Sequence, residues 1–323
     1  MLLLNQKEVE KIIPLSKISK IIEAVRDAFF EYGVNNIQMP AKNYLYFADC
    51  NGDLRIMPSC SQKLKIAGTK IVNVHPDNPK KGLKTVMATI ILNDTKTGLP
   101  LVFMDGTYIT GMRTGSASAV ATSYLARKNA KTLGVIGAGY QSIFQIAAIT
   151  KVRKIEKIMV YDVLDEKIKK LAGVLSKEKI KIVKADLEEV AKSDILVTVT
   201  PAKNPILKRN WILPGTHINA IGADAQGKEE LDPQILVDGK IVIDNWEQAS
   251  HSGEINVPLS KGIIKKNDIY ADLSEIVTGK KKGRINDKEI TIFDSTGLAI
   301  QDLFAANYVF KNAGKLGKKF DLM

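Results

Sequence analysis

A chain of 323 residues, 45% apolar and 25% charged, has the composition of a soluble globular protein with room for two ordinary domains. No apolar run approaches the ~20 residues that cross a bilayer. The N-terminal MLLLNQKEVEKII turns charged too soon for a secretory signal, so a cytoplasmic protein without a membrane partner is expected. The formal net charge of +12 is spread over many amphipathic segments, with GKKKGR (279–284) read as a solvated turn. With no helix-turn-helix, zinc-finger or RNP-like motif, nucleic acid is not expected, and the excess charge suits anionic small molecules.

In chain order, residues 16–33 place apolar side chains at helical spacing and stop at a glycine. From Met39 to Met104 the pattern changes to short extended runs: NYLYFA, DLRIMP, LKIAGTKIVNV, TVMATIILND and LPLVFMD. CNGD (50–53) marks a hairpin and DTKTGLP (94–100) a loop between two more strands, which predicts an antiparallel sheet with a helix in front. Phe103 to Asn129 reads as a helix rich in Ala and Ser. Apolar strand-like runs then recur at 132–137, 157–161, 179–183, 194–199, 216–221 and 240–244, with helical patterns at 142–152, 164–177 and 186–192 between the first four. Strands buried on both faces and separated by helices imply a parallel, doubly wound sheet. Residues 295–314 read as a further amphipathic helix. Cys50 and Cys60 are expected to be reduced. His75 and His251 read as turn residues and His217 as a partly buried strand residue; their spacing fits no metal site, so no metal is expected.

The run TLGVIGAGYQS carries the first chemical signal. Gly137 permits a tight turn after an apolar strand, Gly139 lets a backbone approach a pyrophosphate, and Ser142 is small enough for the following helix to pack on the sheet. A helix N-terminus offers N–H groups and positive potential to the anion. A purely structural strand–helix turn would also explain two glycines. The next strand, KIMVYD, ends at Asp162, where a carboxylate can accept hydrogen bonds from an adenosine ribose and repel a 2′-phosphate. NAD is therefore favoured over NADP as cofactor, although Asp162 could instead cap the helix after it.

Several charged residues lie in or beside apolar segments, where a ligand cleft between the two regions is expected. Lys70 stands within an apolar strand, where a charge is costly unless paired or at a wet edge. Arg113 lies among small helical residues as a salt bridge or an anion site. Arg55 alternates within a hairpin strand and could point outward. Lys42 precedes the same hairpin. Asp224 follows the strand THINAIG at the end of a sheet, where ligand crevices occur, or is a turn aspartate.

These residues carry a resemblance. KIVNVHPDNPKKGLKTVMATIILND, MRTGSASAVA, GVIGAGYQS, HINAIGADAQGKEELD, GEINVPLSKG and EITIFDSTGLAIQD together resemble the ornithine cyclodeaminase/mu-crystallin family across nearly the whole chain, and the archaeal-type alanine dehydrogenases in particular. The resemblance implies a Rossmann NAD-binding domain at 114–301. It also implies an α+β substrate-binding and dimerisation domain with an antiparallel sheet at 1–113, rejoined by a C-terminal helix at 302–323. By the same resemblance Lys70 is the active-site lysine, Asp224 the acid/base and Arg113 the substrate-carboxylate arginine. Lys42 stands where cyclodeaminases have a further carboxylate-binding arginine. Arg55 stands where they have a glutamate, which counts against ornithine and suits a shorter substrate. Cofactor contacts are expected from Arg113, Thr114, Gly137, Gly139, Tyr140, Gln141, Asp162, Val163, Leu164, Thr200, Gly222, Ala223, Asp224 and Ser295. The implied activity is an NAD-dependent, homodimeric amino-acid dehydrogenase, most simply on L-alanine. Alternatives are ornithine cyclodeamination, reduction of ketimines or pyrroline-2-carboxylate, and non-catalytic NAD binding.

Overall fold

The computed structural model describes residues 1–321. They divide into two compact units: unit 1 comprises 1–113 and the segment from 298 onward, and unit 2 comprises 114–297. The first crossing, between Arg113 and Thr114, falls inside a helix, and the second, between Gly297 and Leu298, lies in a short connection after a strand ending at Asp294.

Unit 1 opens with β1 (Leu2–Leu4), α1 (Gln6–Ile12) and α2 (Ile18–Gly33). Asn5 and Glu8 form a capping box at the start of α1, each side chain satisfying a backbone N–H of the other. On α2, Ile18, Ile21, Val25, Ala28 and Phe29 recur at helical spacing and are all buried. Then follow β2 (Ile37–Gln38), β3 (Asn43–Phe47), β4 (Gly52–Ser61), β5 (Ile66–Val74), β6 (Val86–Asp94), β7 (Pro100–Asp105) and α3 (Thr107–Leu125). The sheet runs β1-β7-β6-β5-β4, and β4 pairs β3 along one half of its free edge and β2 along the other. All pairs in this stretch are antiparallel except β1 with β7, which is parallel. The sheet is therefore mixed rather than purely antiparallel.

Unit 2 is built from β8 (Thr132–Ile136), α4 (Tyr140–Val152), β9 (Lys157–Tyr161), α5 (Asp165–Ser176), β10 (Val183–Lys184), α6 (Leu187–Ala191) and β11 (Ile195–Thr198). It continues with β12 (His217–Ala220), α7 (Pro233–Asp238), β13 (Lys240–Ile243), α8 (Trp246–Ser252), α9 (Asn256–Ser260), β14 (Ile269–Asp272), α10 (Leu273–Val277) and β15 (Thr291–Asp294). The eight strands form one parallel sheet in the order β10-β9-β8-β11-β12-β15-β13-β14. Leu133, Val135, Val160 and Val197 pack on one face with Ile146 and Ile149 of α4 and Ile168 and Leu171 of α5. Ile136, Leu196, Ile218 and Ile292 pack on the other with Val190 of α6 and Ile235 of α7. Burial on both faces accounts for strands that are apolar without alternation. The strand order reverses between β8 and β11, and in such sheets that switch point places the ligand crevice outside the strands' C-terminal ends.

The last helix, α11 (Ala299–Lys311), returns to unit 1 and lies against α2 and the faces of β4, β5 and β6. It is shorter than the expected 302–323. Chain termination of the helix at Asn312 is followed by a turn, and β16 (Lys318–Lys319) pairs antiparallel with β1; residues 322–323 lie outside the described ones. The helix expected at 103–129 starts at Thr107 because residues 100–105 are taken by β7. Only Val183 and Lys184 of the 179–183 neighbourhood are paired as strand, and His251 lies in α8 rather than a turn. His217 is fully buried, with Nδ1 3.0 Å from the Thr291 hydroxyl, and burial pushes its pKa down to about 3. Both cysteines are free. Among the described residues no helix is long and apolar enough to cross a membrane, and no cluster of His, Cys, Asp or Glu could hold a metal ion.

Candidate active site

In unit 1 the chemistry gathers on the inner face of the sheet. Burial alternates along β5 so that Lys70 and Val72 face inward, and Lys70 sits opposite Met57 of β4 and Ile90 of β6. It is thus in the middle of the sheet, not on a wet edge, and its side chain is 1% exposed. The Nζ lies 2.8 Å from Asp302 Oδ2. Asp302 Oδ1 accepts from Arg113 Nε at 3.0 Å, and Arg113 Nη1 donates to Gln301 Oε1 at 2.9 Å. Two buried cations therefore share one carboxylate, one on each oxygen. Burial pushes the Lys70 ammonium down to about 7; Arg113 and Lys42 push the same way, while Asp302 opposes them. With Lys70 protonated, the side chains of Lys70, Arg113 and Asp302 sum to one net positive charge, which suits an anionic group.

Arg55 belongs to the same sheet face, because it pairs with Val72 two residues along from the Met57–Lys70 pair. It is buried rather than turned outward. Asp53 takes its Nε and Nη2 on separate oxygens at 2.8 and 3.0 Å, and its guanidinium carbon stands 5.4 Å from the Tyr44 ring centre. Lys42 is half-buried just before β3 and acts on Lys70 through its charge.

In unit 2 the glycine turn follows β8. Gly137 has φ +103°, a conformation open to few residues but glycine, and a Cβ there would lie 2.7 Å from the Val199 carbonyl oxygen. Nothing stands within 4 Å of a Cβ built on Gly139, the N-cap of α4, so the space above this turn is open. The Gln141 side-chain oxygen beside it is buried without a hydrogen-bond partner. An open glycine cradle at the N-terminus of a 13-residue helix and an orphaned polar atom fit a dinucleotide's pyrophosphate.

Asp162 follows β9 and accepts from the Ala138 N–H at 2.8 Å on one oxygen and from the Leu164 N–H at 2.9 Å on the other. It is both the turn's clamp and a carboxylate with lone pairs left for ribose hydroxyls, since a carboxylate offers roughly four acceptor sites. Val163 and Leu164 beyond it are exposed, as is Tyr140, whose ring meets Phe144 edge-on. Thr200 and Gly222 leave the C-terminal ends of the adjacent strands β11 and β12, and the buried Ser295 follows β15 with its N–H on the Ala220 carbonyl at 3.1 Å. Ala223 is buried, and Asp224 is half-exposed and paired with Lys228 in the same loop. Thr114, the first residue of unit 2, is buried in α3.

The residues singled out in the sequence thus form two groups. Lys42, Arg55, Lys70 and Arg113 gather in unit 1, and the glycine turn, Asp162, Thr200, Gly222 and Asp224 lie at strand ends in unit 2. Sequence reasoning missed Asp302 and Gln301, which hold the unit 1 cations, and Glu230, which accepts from Thr200 and Gly222. A signal for Asp302 existed: it is the single charge within the apolar run of α11 before Lys311.

A two-unit α/β chain with a dinucleotide-type turn and a buried cation pair is the class this geometry defines. The profile of the ornithine cyclodeaminase/mu-crystallin family matches residues 2–316, and the chain belongs to that family. It is 48% identical over 312 residues to an alanine dehydrogenase of Archaeoglobus fulgidus, covering 97% of this chain and 95% of that one. Two solved structures superpose with a TM-score of 0.95. An archaeal alanine dehydrogenase dimer with bound NAD is 47% identical and covers 100% of this chain and 99% of its own. The Thermococcus litoralis Δ1-pyrroline-2-carboxylate reductase, in complex with NADH and L-proline, is 42% identical and covers 99% and 100%.

Proposed function

We propose that this chain is an NAD-dependent amino-acid dehydrogenase that converts L-alanine, NAD and water to pyruvate, ammonia and NADH. The observation that carries the reading is the sharing of Asp302 by Lys70 and Arg113, which leaves a buried positive charge for a substrate carboxylate. Unit 1 is the substrate-binding part, and unit 2 holds NAD through the Gly137–Gln141 turn, Asp162 and the strand-end residues Thr200, Gly222, Ala223 and Ser295. NAD supplies the hydride acceptor when bound. Arg113 presents a planar fork to the carboxylate, and Lys70 adds charge and holds or releases a proton at Nζ near neutral pH. Asp224 activates the water that adds to the imino carbon and returns a proton to the departing nitrogen. Arg55 is committed to Asp53, so no acidic group is offered there to a distal ammonium such as that of ornithine. The likeness to the Archaeoglobus alanine dehydrogenase and to the NAD-bound archaeal dimer supports this substrate, this cofactor and a homodimer.

A second reading, reduction of Δ1-pyrroline-2-carboxylate to L-proline with NADH, is favoured by the likeness to the Thermococcus enzyme. Both reactions pass through a carbon–nitrogen double bond beside a carboxylate, so the same cations serve each. Steady-state kcat/KM for alanine with NAD, pyruvate with ammonia and NADH, and pyrroline-2-carboxylate with NADH decides between them. The alanine reading expects the first pair to exceed the third. Turnover of the cyclic imine alone overturns it, and NADH binding without any turnover marks a non-catalytic binder.

A further inference from the structure

Glu230 is fully buried in unit 2, at the C-terminal edge of the parallel sheet. A buried carboxylate is costly unless its lone pairs are used. Its Oε1 accepts from the Thr200 N–H at 2.8 Å and from the Thr200 hydroxyl at 2.7 Å, and its Oε2 accepts from the Gly222 N–H at 2.9 Å. Thr200 follows β11 and Gly222 follows β12, and the two strands pair with Thr198 opposite Ala220. One side chain thus sets the spacing of two loops at the edge where a doubly wound sheet binds its ligand. There is no slack in the contact: a Cβ on Gly222 would lie 2.3 Å from the Thr200 carbonyl oxygen and 2.5 Å from Glu230 Oε2.

The same bond closes a loop. Gly222 opens the segment that Glu230 ends, and Asp224 lies within it with its N–H on the Gly222 carbonyl at 3.0 Å. Glu230 is anchored from behind as well. Its own N–H and that of Leu231 donate to Glu254 Oε1 at 2.8 and 2.7 Å, and its carbonyl accepts from Ile206 and Leu207 at 2.8 and 3.1 Å. Burial, with repulsion from Glu230 and Asp294, pushes the Glu254 carboxyl well up. Burial also raises Glu230, while its bonds to Thr200 and Gly222 oppose that rise. Charge matters here because the three donors require acceptors on both oxygens, and a glutamine offers an acceptor on one side only.

From this geometry we infer that Glu230 is a positioning residue for the dehydrogenase: its carboxylate fixes Thr200 and the Gly222–Asp224 turn in the arrangement that receives the dinucleotide, without touching cofactor or substrate. The inference rests on the reading of unit 2 as the NAD-binding part.

The test compares wild type and Glu230→Gln by NADH titration, by kcat and KM for pyruvate with ammonia, and by Tm. Expected are an NADH Kd raised at least tenfold and a kcat lowered at least tenfold, with the pyruvate KM changed less than threefold, because unit 1 holds the carboxylate. A purely structural role predicts a lower Tm with the Kd and kcat of the folded enzyme unchanged, and that result overturns the proposal while leaving the reading of unit 2 intact. Failure of wild type to bind NADH overturns both. Should Glu230→Gln not fold, Glu230→Asp keeps the carboxylate and shortens its reach to Thr200 and Gly222 by one methylene. A three- to tenfold weaker NADH Kd in that variant supports the proposal, and an unchanged Kd overturns it.

Discussion

Asp302 in α11 receives the Lys70 ammonium of β5 at 2.8 Å, and with its other oxygen it receives Arg113. The last helix is therefore as much a part of the candidate site as the strand that carries the lysine. Replacing Asp302 by Asn leaves two buried cations without a counter-charge. Breaking a buried pair from one side costs about 3–5 kcal/mol, so Asp302→Asn should lower Tm markedly and drive the Lys70 pKa below 7. A kcat/KM profile against pH reads the second effect: wild type should show a titration near 7, and the variant's should move to lower pH. An unmoved titration would assign it to another group.

Lys70 also links pH to stability. In the unfolded chain a lysine keeps its proton up to about 10.5, whereas folded Lys70 releases it near 7. The unfolded state binds more protons between these values, so this group's contribution to stability rises as pH climbs from 7 to 10.5 and is constant below 7. Urea midpoints for wild type and Lys70→Met should differ by a constant amount below pH 7 and converge as the pH climbs from 7 to 10.5. Parallel curves would show that Lys70 does not titrate there.

The two turn glycines should behave differently. Gly137→Ala meets both the positive φ and the Val199 carbonyl at 2.7 Å, and should cost about 1–3 kcal/mol of stability. Gly139→Ala meets nothing within 4 Å, so Tm should hold while the methyl group occupies pyrophosphate space and weakens NADH at least tenfold. Unimpaired NADH binding by Gly139→Ala would remove the turn from the cofactor site.

Asp162→Ser should narrow the preference for NADH over NADPH by at least tenfold, because a serine no longer repels a 2′-phosphate. Absolute NADH affinity should fall too, since one hydroxyl cannot accept from both the Ala138 and the Leu164 N–H. Better use of NADPH than NADH by wild type would overturn the assignment of Asp162.

Much of this was legible in the sequence, and the failures share a cause. The glycine turn, the strand before it and Asp162 lie within one short βαβ stretch, so local pattern suffices to find them. β1 and β16 were not legible because each is two or three residues long and is defined only by partners distant in the chain. β14 and β15 were not read as strands: each follows a lysine-rich stretch, and β14 runs directly into α10. Asp302 shows in the sequence only as a lone charge in an apolar run, and what it binds appears once the fold lays that helix against β5. Arg55 and Glu230 teach the same lesson, since what holds each of them is visible only once strands and loops are paired.

The final prediction separates the two residues proposed for the chemistry from the one proposed for binding. Lys70→Ala and Asp224→Asn should both abolish turnover with pyruvate, ammonia and NADH. Each should leave NADH affinity close to wild type, because neither belongs to the glycine turn. Asp224→Asn loses its ion pair with Lys228, but that pair is partly exposed and should matter little to stability. Arg113→Lys keeps the charge and loses the planar fork, so the KM for the amino acid should rise by an order of magnitude or more, as charge-assisted hydrogen bonds contribute about 1.5–3 kcal/mol. The comparison that decides is turnover in Lys70→Ala against Asp224→Asn at matched NADH saturation. Near-wild-type turnover in either variant makes that residue structural, and a proton donor would then have to be found among the groups that remain.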